Sequence, residues 1–236
     1  MKQFVLLVCS FCFLMGKAQK TAADFFADAV RKQYAGENEA AVSNYAEALK
    51  LDSLFFPARL NRAKILLKTH LKSEAEKDYI FLFRYDSLLA DVQEGLGSIR
   101  LEEKHFDSAR LHLEKCLRLN PSQTECRKKL AYCSYYTGNY LQAIHLLKDF
   151  NPTEINDPAI YYLRALCHKM GGFIKAAEQD LEITIRLQHN HSQAYLEHIE
   201  ILLQQNRLEE VCKDVDALLS MEYPDAGRLK KKYCSP

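Results

Sequence analysis

Small residues recur along this chain at an interval that nearly dictates its architecture. Ala41, Ala75, Ala109, Ala143 and Ala177, then Val211, stand 34 residues apart with no insertion between them. Twelve residues before them runs a second small series, Ala29, Ala63, Gly97, Ala131 and Ala165, broken only at Ile199. Four residues after each member of the first series lie Tyr45, Tyr79, Leu113, Leu147, Leu181 and Val215, and three further on lie Ala48, Leu82, Cys116, Phe150, Thr184 and Leu218. An i, i+4, i+7 set of this kind forms one face of an α-helix. Gly36, Gly138 and Gly172 fall between the two series, where glycine can carry the backbone out of one helix and into the next. Each period therefore reads as a helix, a tight turn and a second helix, with small residues where the two must approach closely.

These features resemble the tetratricopeptide repeat, whose period is about 34 residues, and the resemblance runs over residues 22–225. The third repeat carries the pattern most fully, with Leu96-Gly97, Phe106, Ala109, Leu113 and the closing Leu119-Asn120-Pro121. The first two depart from it: Asp28 and Arg62 occupy the position before the small residue, where leucine is usual. The closing proline is present only as Pro121, its place being taken elsewhere by Ser53, Ser87, Ile155, His189 and Tyr223. The resemblance implies an all-α fold, a right-handed α-solenoid of six helix-turn-helix repeats at 22–55, 56–89, 90–123, 124–157, 158–191 and 192–225. Residues 226–236 are expected to form a capping helix and tail. A lone repeat cannot bury its apolar face, so neighbours must stack.

The amino terminus carries Lys2, an apolar run from Phe4 to Met15, and small residues at Gly16 and Ala18. This is the layout of an export signal, expected over residues 1–18 with Gln19 as the first mature residue; the run is short of the roughly 20 residues a membrane-spanning helix needs. Lys2 and Lys17 lie within it, which leaves 30 Lys+Arg against 31 Asp+Glu. A near-neutral balance gives no basic surplus for nucleic acid, and no second long apolar segment suggests a stable membrane span. The expected location is exported, periplasmic or secreted.

Export bears on the cysteines, because an oxidising compartment permits disulfides. After the sixth repeat Pro224 breaks the chain, and residues 225–233 can form a short helix that runs back along the last full one. Cys234 would then arrive beside Cys212. The tail also resembles the C-termini of exported repeat proteins from diderm bacteria, through Cys212-Lys213-Asp214 and Lys231-Lys232-Tyr233-Cys234. Cys116 and Cys126 flank the turn LRLNPSQTE, and similar junction disulfides occur in the related Sel1-like repeats, although with shorter spacing; a disulfide and two thiols both remain open for this pair. Cys133 and Cys167 occupy equivalent positions in consecutive first helices and read as buried core thiols.

No GxSxG, P-loop, HExxH or paired-glycine fingerprint is present, and the carboxylates are spread evenly, so no catalytic residue or cofactor is expected. His189, His191 and His198 form the one histidine cluster, but two of them fall in an inter-repeat loop, and no metal site is assigned. In tetratricopeptide arrays function resides in the groove lined by first helices. Its stripe is expected to hold Tyr34 in the first repeat, Lys64 and Lys68 in the second, Lys128, Tyr132 and Tyr136 in the fourth, and Tyr162 and Leu166 in the fifth. Tyrosines beside lysines suit an extended or helical peptide, the rings stacking while ammonium groups meet carbonyls or carboxylates. The same tyrosines could instead bridge neighbouring helices. A carboxylate clamp of lysine and asparagine, known in some members, is not expected, since Asn61 is the one asparagine in place. The expected function is an exported scaffold that binds a protein or peptide in envelope assembly, secretion or uptake, with homo-oligomerisation left open. The alternative is a helical accessory of cell-wall or carbohydrate processing with weak hydrolytic activity.

Overall fold

The computed structural model describes residues 19–153 and 155–234; the expected export signal lies outside them. The described residues form thirteen helices and no strand. They divide into two compact units, one ending at Leu88 and the other beginning at Leu89. The first contains α1 (Ala22–Tyr34), α2 (Asn38–Leu51), α3 (Phe56–Lys68) and α4 (Lys72–Tyr85). The second contains α5 (Ala90–Glu102), α6 (Phe106–Leu119), α7 (Thr124–Tyr136), α8 (Tyr140–Leu147), α9 (Pro158–Met170), α10 (Ile174–Leu187), α11 (Ser192–Gln204), α12 (Leu208–Ser220) and α13 (Ala226–Tyr233). Helices pack in sequence within each unit, as in an all-α repeat solenoid. None is long and apolar enough to cross a membrane.

The two small series sit where paired helices touch. Ala29, Ala41, Ala63, Ala75, Ala109, Ala131, Ala143, Ala177 and Val211 are wholly inaccessible. Gly97 shows why size matters there: a Cβ on it would stand 2.9 Å from Leu113 Cγ on the facing helix α6. Since protein interiors are packed to crystal-like density, a larger side chain would have to push the helices apart.

The turns repeat as faithfully. Gly36, Gly138 and Gly172 take φ of 78°, 76° and 81°, and the equivalent places in the other turns hold His70, Lys104 and Asn206 at 62°, 59° and 59°. Left-handed backbone is thus built into all six turns, and three of them tolerate it without glycine at a steric cost of about 1–2 kcal/mol each.

An arginine in place of leucine before the small residue proves to fill an ion-pair slot, whereas Asp28 pairs instead with Lys20 and Arg31. Arg62 Nε and Nη2 each donate to Asp78 at 2.7 Å, and Arg59 adds a bond at 3.1 Å. Three periods later Arg164 Nε and Nη2 donate to Asp180 at 2.9 and 2.6 Å, and the His168 ring lies 3.0 Å from the same carboxylate. Burial opposes the charge on Asp180, but the bonds from Arg164 and His168 outweigh it and hold the carboxyl below its ordinary range. In the fourth repeat Leu130 and Leu146 fill this slot within one apolar cluster, and in the sixth His198 Nδ1 stands 2.8 Å from Asp214.

One helix is shorter than the period leads one to expect. The i, i+4, i+7 set places Ala143, Leu147 and Phe150 on one helix face, yet α8 ends at Leu147. Pro152 cannot donate a backbone hydrogen bond and disfavours helical backbone just before it. Arg164 Nη1 takes up carbonyls released by the early stop, bonding Leu147 O at 2.9 Å and Phe150 O at 3.3 Å, and Phe150 still reaches the core.

Disulfides staple two helix junctions. Cys116 and Cys126 are joined across the α6–α7 turn with Cα atoms 6.4 Å apart, and both are fully buried. Cys212 and Cys234 are joined with Cα atoms 5.5 Å apart, tying the end of α13 back to α12. Ala226, Leu229 and Tyr233 of α13 cover Val211, Val215 and Leu218, so the last helix pair does not end on bare core. Cys133 and Cys167 are buried thiols, and burial pushes them up to about 11 and about 12.

Two outcomes follow for stability and redox behaviour. Asp180→Ala leaves the Arg164 guanidinium buried without its counter-ion and is expected to cost about 3–5 kcal/mol in urea unfolding. The double change R164L/D180L, which copies the fourth repeat, should cost less than the single one; a larger loss would contradict the slot. Graded reduction in native buffer, followed by alkylation and peptide mapping, should open the partly exposed Cys212–Cys234 bond first, leaving Cys116, Cys126, Cys133 and Cys167 unlabelled until unfolding. Earlier labelling at Cys116 would contradict that order. Each disulfide should contribute on the order of 3 kcal/mol by restricting the unfolded chain.

Candidate functional site

In the second unit the first helices of successive repeats, α5, α7 and α9, touch one another along one side. They line an open cleft of about 450 Å³, floored by Leu101, Ile160, Leu163 and Leu166 and walled by Tyr132, Tyr135, Tyr136 and Tyr162. The helical spacing explains the wall: residues 132, 135 and 136 lie at i, i+3 and i+4 on α7, on one face. Of the expected groove residues, the structure brings Lys128, Tyr132, Tyr136, Tyr162 and Leu166 to this cleft. Tyr34 lies at the end of α1 and is 90% exposed, and Lys64 and Lys68 are exposed on α3; these three belong to the first unit. Asn61 there donates to the Tyr45 hydroxyl at 3.2 Å, so its amide already serves the core.

The tyrosines divide between the two roles the sequence leaves open. Tyr135 is half-buried and meets Tyr140 of α8 with ring centroids 5.9 Å apart, which makes it a bridge between helices. Tyr132 and Tyr136 remain 41% and 50% exposed. Tyr136 is nevertheless fixed, because its ring stacks on Phe106 of α6 at 4.9 Å and 3°. Tyr132 is held against it by a hydroxyl-to-hydroxyl bond of 3.0 Å. That bond, with burial second, raises the Tyr132 phenol to about 12; burial, with Glu197 nearby, pushes Tyr162 up to about 12. Both rings stay neutral over the ordinary pH range, offering a hydroxyl and an apolar face. Rings already locked in place lose little entropy when a ligand stacks on them.

The lysines behave differently from the expectation that they meet a ligand directly. Lys128 Nζ lies 2.7 Å from Glu125 and 3.0 Å from Asp157, joining α7 to the residue that caps α9. Lys129 Nζ donates to Glu94 and Ser98 of α5, each at 2.7 Å. Lys169 bonds Glu197 and Glu200 of α11 at 2.7 Å each. These cations hold neighbouring first helices together, each ammonium having its charge met by a carboxylate within the protein. The signal was available in the sequence as acidic residues about one period from each lysine, at Glu94, Asp157 and Glu197. The acidic groups of the cleft, Glu125 and Asp157, both lie on Lys128 rather than forming a facing carboxylate pair.

The histidines do not gather as the sequence groups them. His189 is exposed, and His191 accepts from Ala194 N at 3.2 Å as the N-cap of α11 while its ring meets Tyr162 at 4.6 Å. His198 is buried between α10, α11 and α12.

A tetratricopeptide repeat family model matches residues 100–167, which include α6, α7, α8 and most of α9. No curated protein matches the sequence. Among solved structures, a chain of the APC/C hetero-tetramer Cut9–Hcn1 superposes with a TM-score of 0.72 at 14% identity, over 93% of this chain and 44% of that one. This chain therefore spans less than half the length of that relative. PilW, described as a widely conserved type IV pilus biogenesis factor, gives 0.73 at 14% identity over 88% of this chain and 96% of its own. YrrB, described as a TPR protein with an unusual peptide-binding site, gives 0.59 at 20% identity over 73% and 89%. The described chain has the tetratricopeptide-repeat fold, and its residues 100–167 match the tetratricopeptide repeat family itself.

Proposed function

We propose that this protein is an exported interaction scaffold whose α5–α7–α9 cleft receives an extended or helical segment of a protein partner. The observation that carries the reading is the pair Tyr132 and Tyr136, exposed at the cleft yet locked by the Phe106 stack and a hydroxyl bond. Aromatic anchors around a desolvated floor are where binding energy concentrates at protein interfaces. An apolar residue of the partner would enter over Leu163 and Leu166 while its backbone meets the tyrosine hydroxyls. The internally paired Lys128, Glu125 and Asp157 would form a polar rim that sets register more than affinity.

The setting we assign is the cell envelope, in assembly, secretion or uptake. Support comes from the signal-like amino terminus, from two disulfides that need an oxidising compartment to form, and from fold likeness to a pilus biogenesis factor and to a protein with a peptide-binding site. Nothing in the cleft favours the hydrolytic alternative.

Placing a photo-crosslinking amino acid at Leu166, with Leu111 on the exposed face of α6 as control, should capture a discrete protein from intact envelopes only at Leu166. Tyr136→Ala should then weaken binding of that partner by about tenfold or more, while melting within a few degrees of the parent. Equal capture at both positions, or unchanged affinity in the Tyr136 variant, would refute the cleft assignment.

A further inference from the structure

His198 occupies the slot that elsewhere holds arginine or leucine, and its surroundings suit a different ligand. Glu178 and Glu182 lie one turn apart on α10, on the same face. One carboxylate oxygen from each and a ring nitrogen of His198 on α11 all lie within 4.8 Å of one another. The second observation is independent of that cluster: His198 is only 7% exposed, its Nδ1 is held by Asp214 at 2.8 Å, and its Nε2 is buried with no hydrogen-bond partner. Leaving a buried polar atom unpaired costs about 1–3 kcal/mol. An imidazole anchored through one nitrogen on a carboxylate, with the other left without a partner, is the arrangement by which proteins orient metal-binding histidines.

We propose that Glu178, Glu182 and His198 bind one divalent transition-metal cation of the zinc class, with Asp214 positioning the imidazole. One nitrogen and two carboxylates suit zinc, cobalt or manganese better than calcium or magnesium, which favour oxygen alone. In a tetrahedral site with bonds of about 2.1 Å the ligand atoms stand about 3.4 Å apart. The three groups therefore need to draw together by at most about 1.4 Å, and the exposed Glu182 can supply most of that movement. Arg207 and Gln205 already bond Glu178, and Arg207 is anchored in turn by Glu210 at 2.7 Å. The arginine opposes a second positive charge nearby but also fixes the carboxylate, whose remaining lone pairs stay open. Three protein ligands leave a position for water or for a carboxylate of a partner. The ion would tie α10 to α11 and, through Asp214, to α12.

The test is zinc titration by calorimetry of the oxidised full-length protein after chelator dialysis, with thermal melts alongside. One zinc per chain and a raised melting temperature are expected. Glu182→Gln alters an exposed side chain, so its metal-free melting should match the parent while its zinc affinity falls by about tenfold or more. Asp214→Asn should weaken binding by about 10–100-fold through the imidazole. Cobalt absorbance bands present in the parent and lost in Glu182→Gln would assign the ligand set directly. No zinc uptake at equimolar metal overturns the proposal, and so does uptake that Glu182→Gln leaves unchanged, since the ion would then sit on other residues.

Discussion

Paired helices in this protein approach so closely at one point that a small side chain stands between them in five of the six repeats. At Gly97 even a methyl group would meet Leu113 at 2.9 Å, and the alanines at equivalent places are no more than 1% exposed, Ile199 being the one larger residue in the series. The rest follows from that approach. It sets the distance at which the large residues four and seven positions along the second helix pack, and it forces each connecting turn to be tight. Tight turns demand left-handed backbone, which appears at the same place in all six, glycine or not. Apolar helix faces brought this close must be covered by the next pair, and at the carboxyl end the disulfide-tied α13 supplies the cover.

Beside the small residue lies a position whose chemistry can vary because its partner varies with it. The residue before the small one faces a residue 16 positions later on the second helix. Arginine with aspartate, leucine with leucine and histidine with aspartate all fill the same space. A buried ion pair gains little over packed leucines, so the arginine slots are best understood by what else the guanidinium reaches. Arg164 shows this by also serving the carbonyls released where α8 stops early. In the sixth repeat the exchange to histidine leaves a buried ring nitrogen without a partner, on an imidazole that lies beside two glutamates, which is the basis of the proposed metal site.

Much of this was legible in the sequence because small residues at a fixed interval report a steric requirement with few alternatives. The helix pairs, the turn positions and the buried setting of Cys133 and Cys167 are all consequences of it. Asp28 and Arg62 look in the sequence like weak repeats, since a charge at an apolar position signals a departure until its partner is known; pairing with Asp78 across 16 residues resolves Arg62, while Asp28 meets Lys20 and Arg31 instead. The early end of α8 turns on Pro152, which lies outside the repeat pattern and so escapes a reading built on periodicity. The tyrosine cleft could be located from helical spacing, but the role of the lysines could not. Whether an ammonium faces a ligand or a neighbouring helix depends on which carboxylates the next repeat brings alongside, as Asp157 does for Lys128.

If the small-residue register governs the fold, removing one whole period should be tolerated and removing part of one should not. The direct measurement compares helicity and cooperativity of urea unfolding for two deletions: residues 158–191, a full 34-residue period, and residues 171–187, which takes out α10 with the turn before it and leaves α9 in place. The first joins Asp157 to Ser192 at an equivalent register and should retain the parent's helicity per residue and a single unfolding transition. The second leaves α9 without the helix that packs against it and should lose both. Equal behaviour of the two proteins would contradict the account.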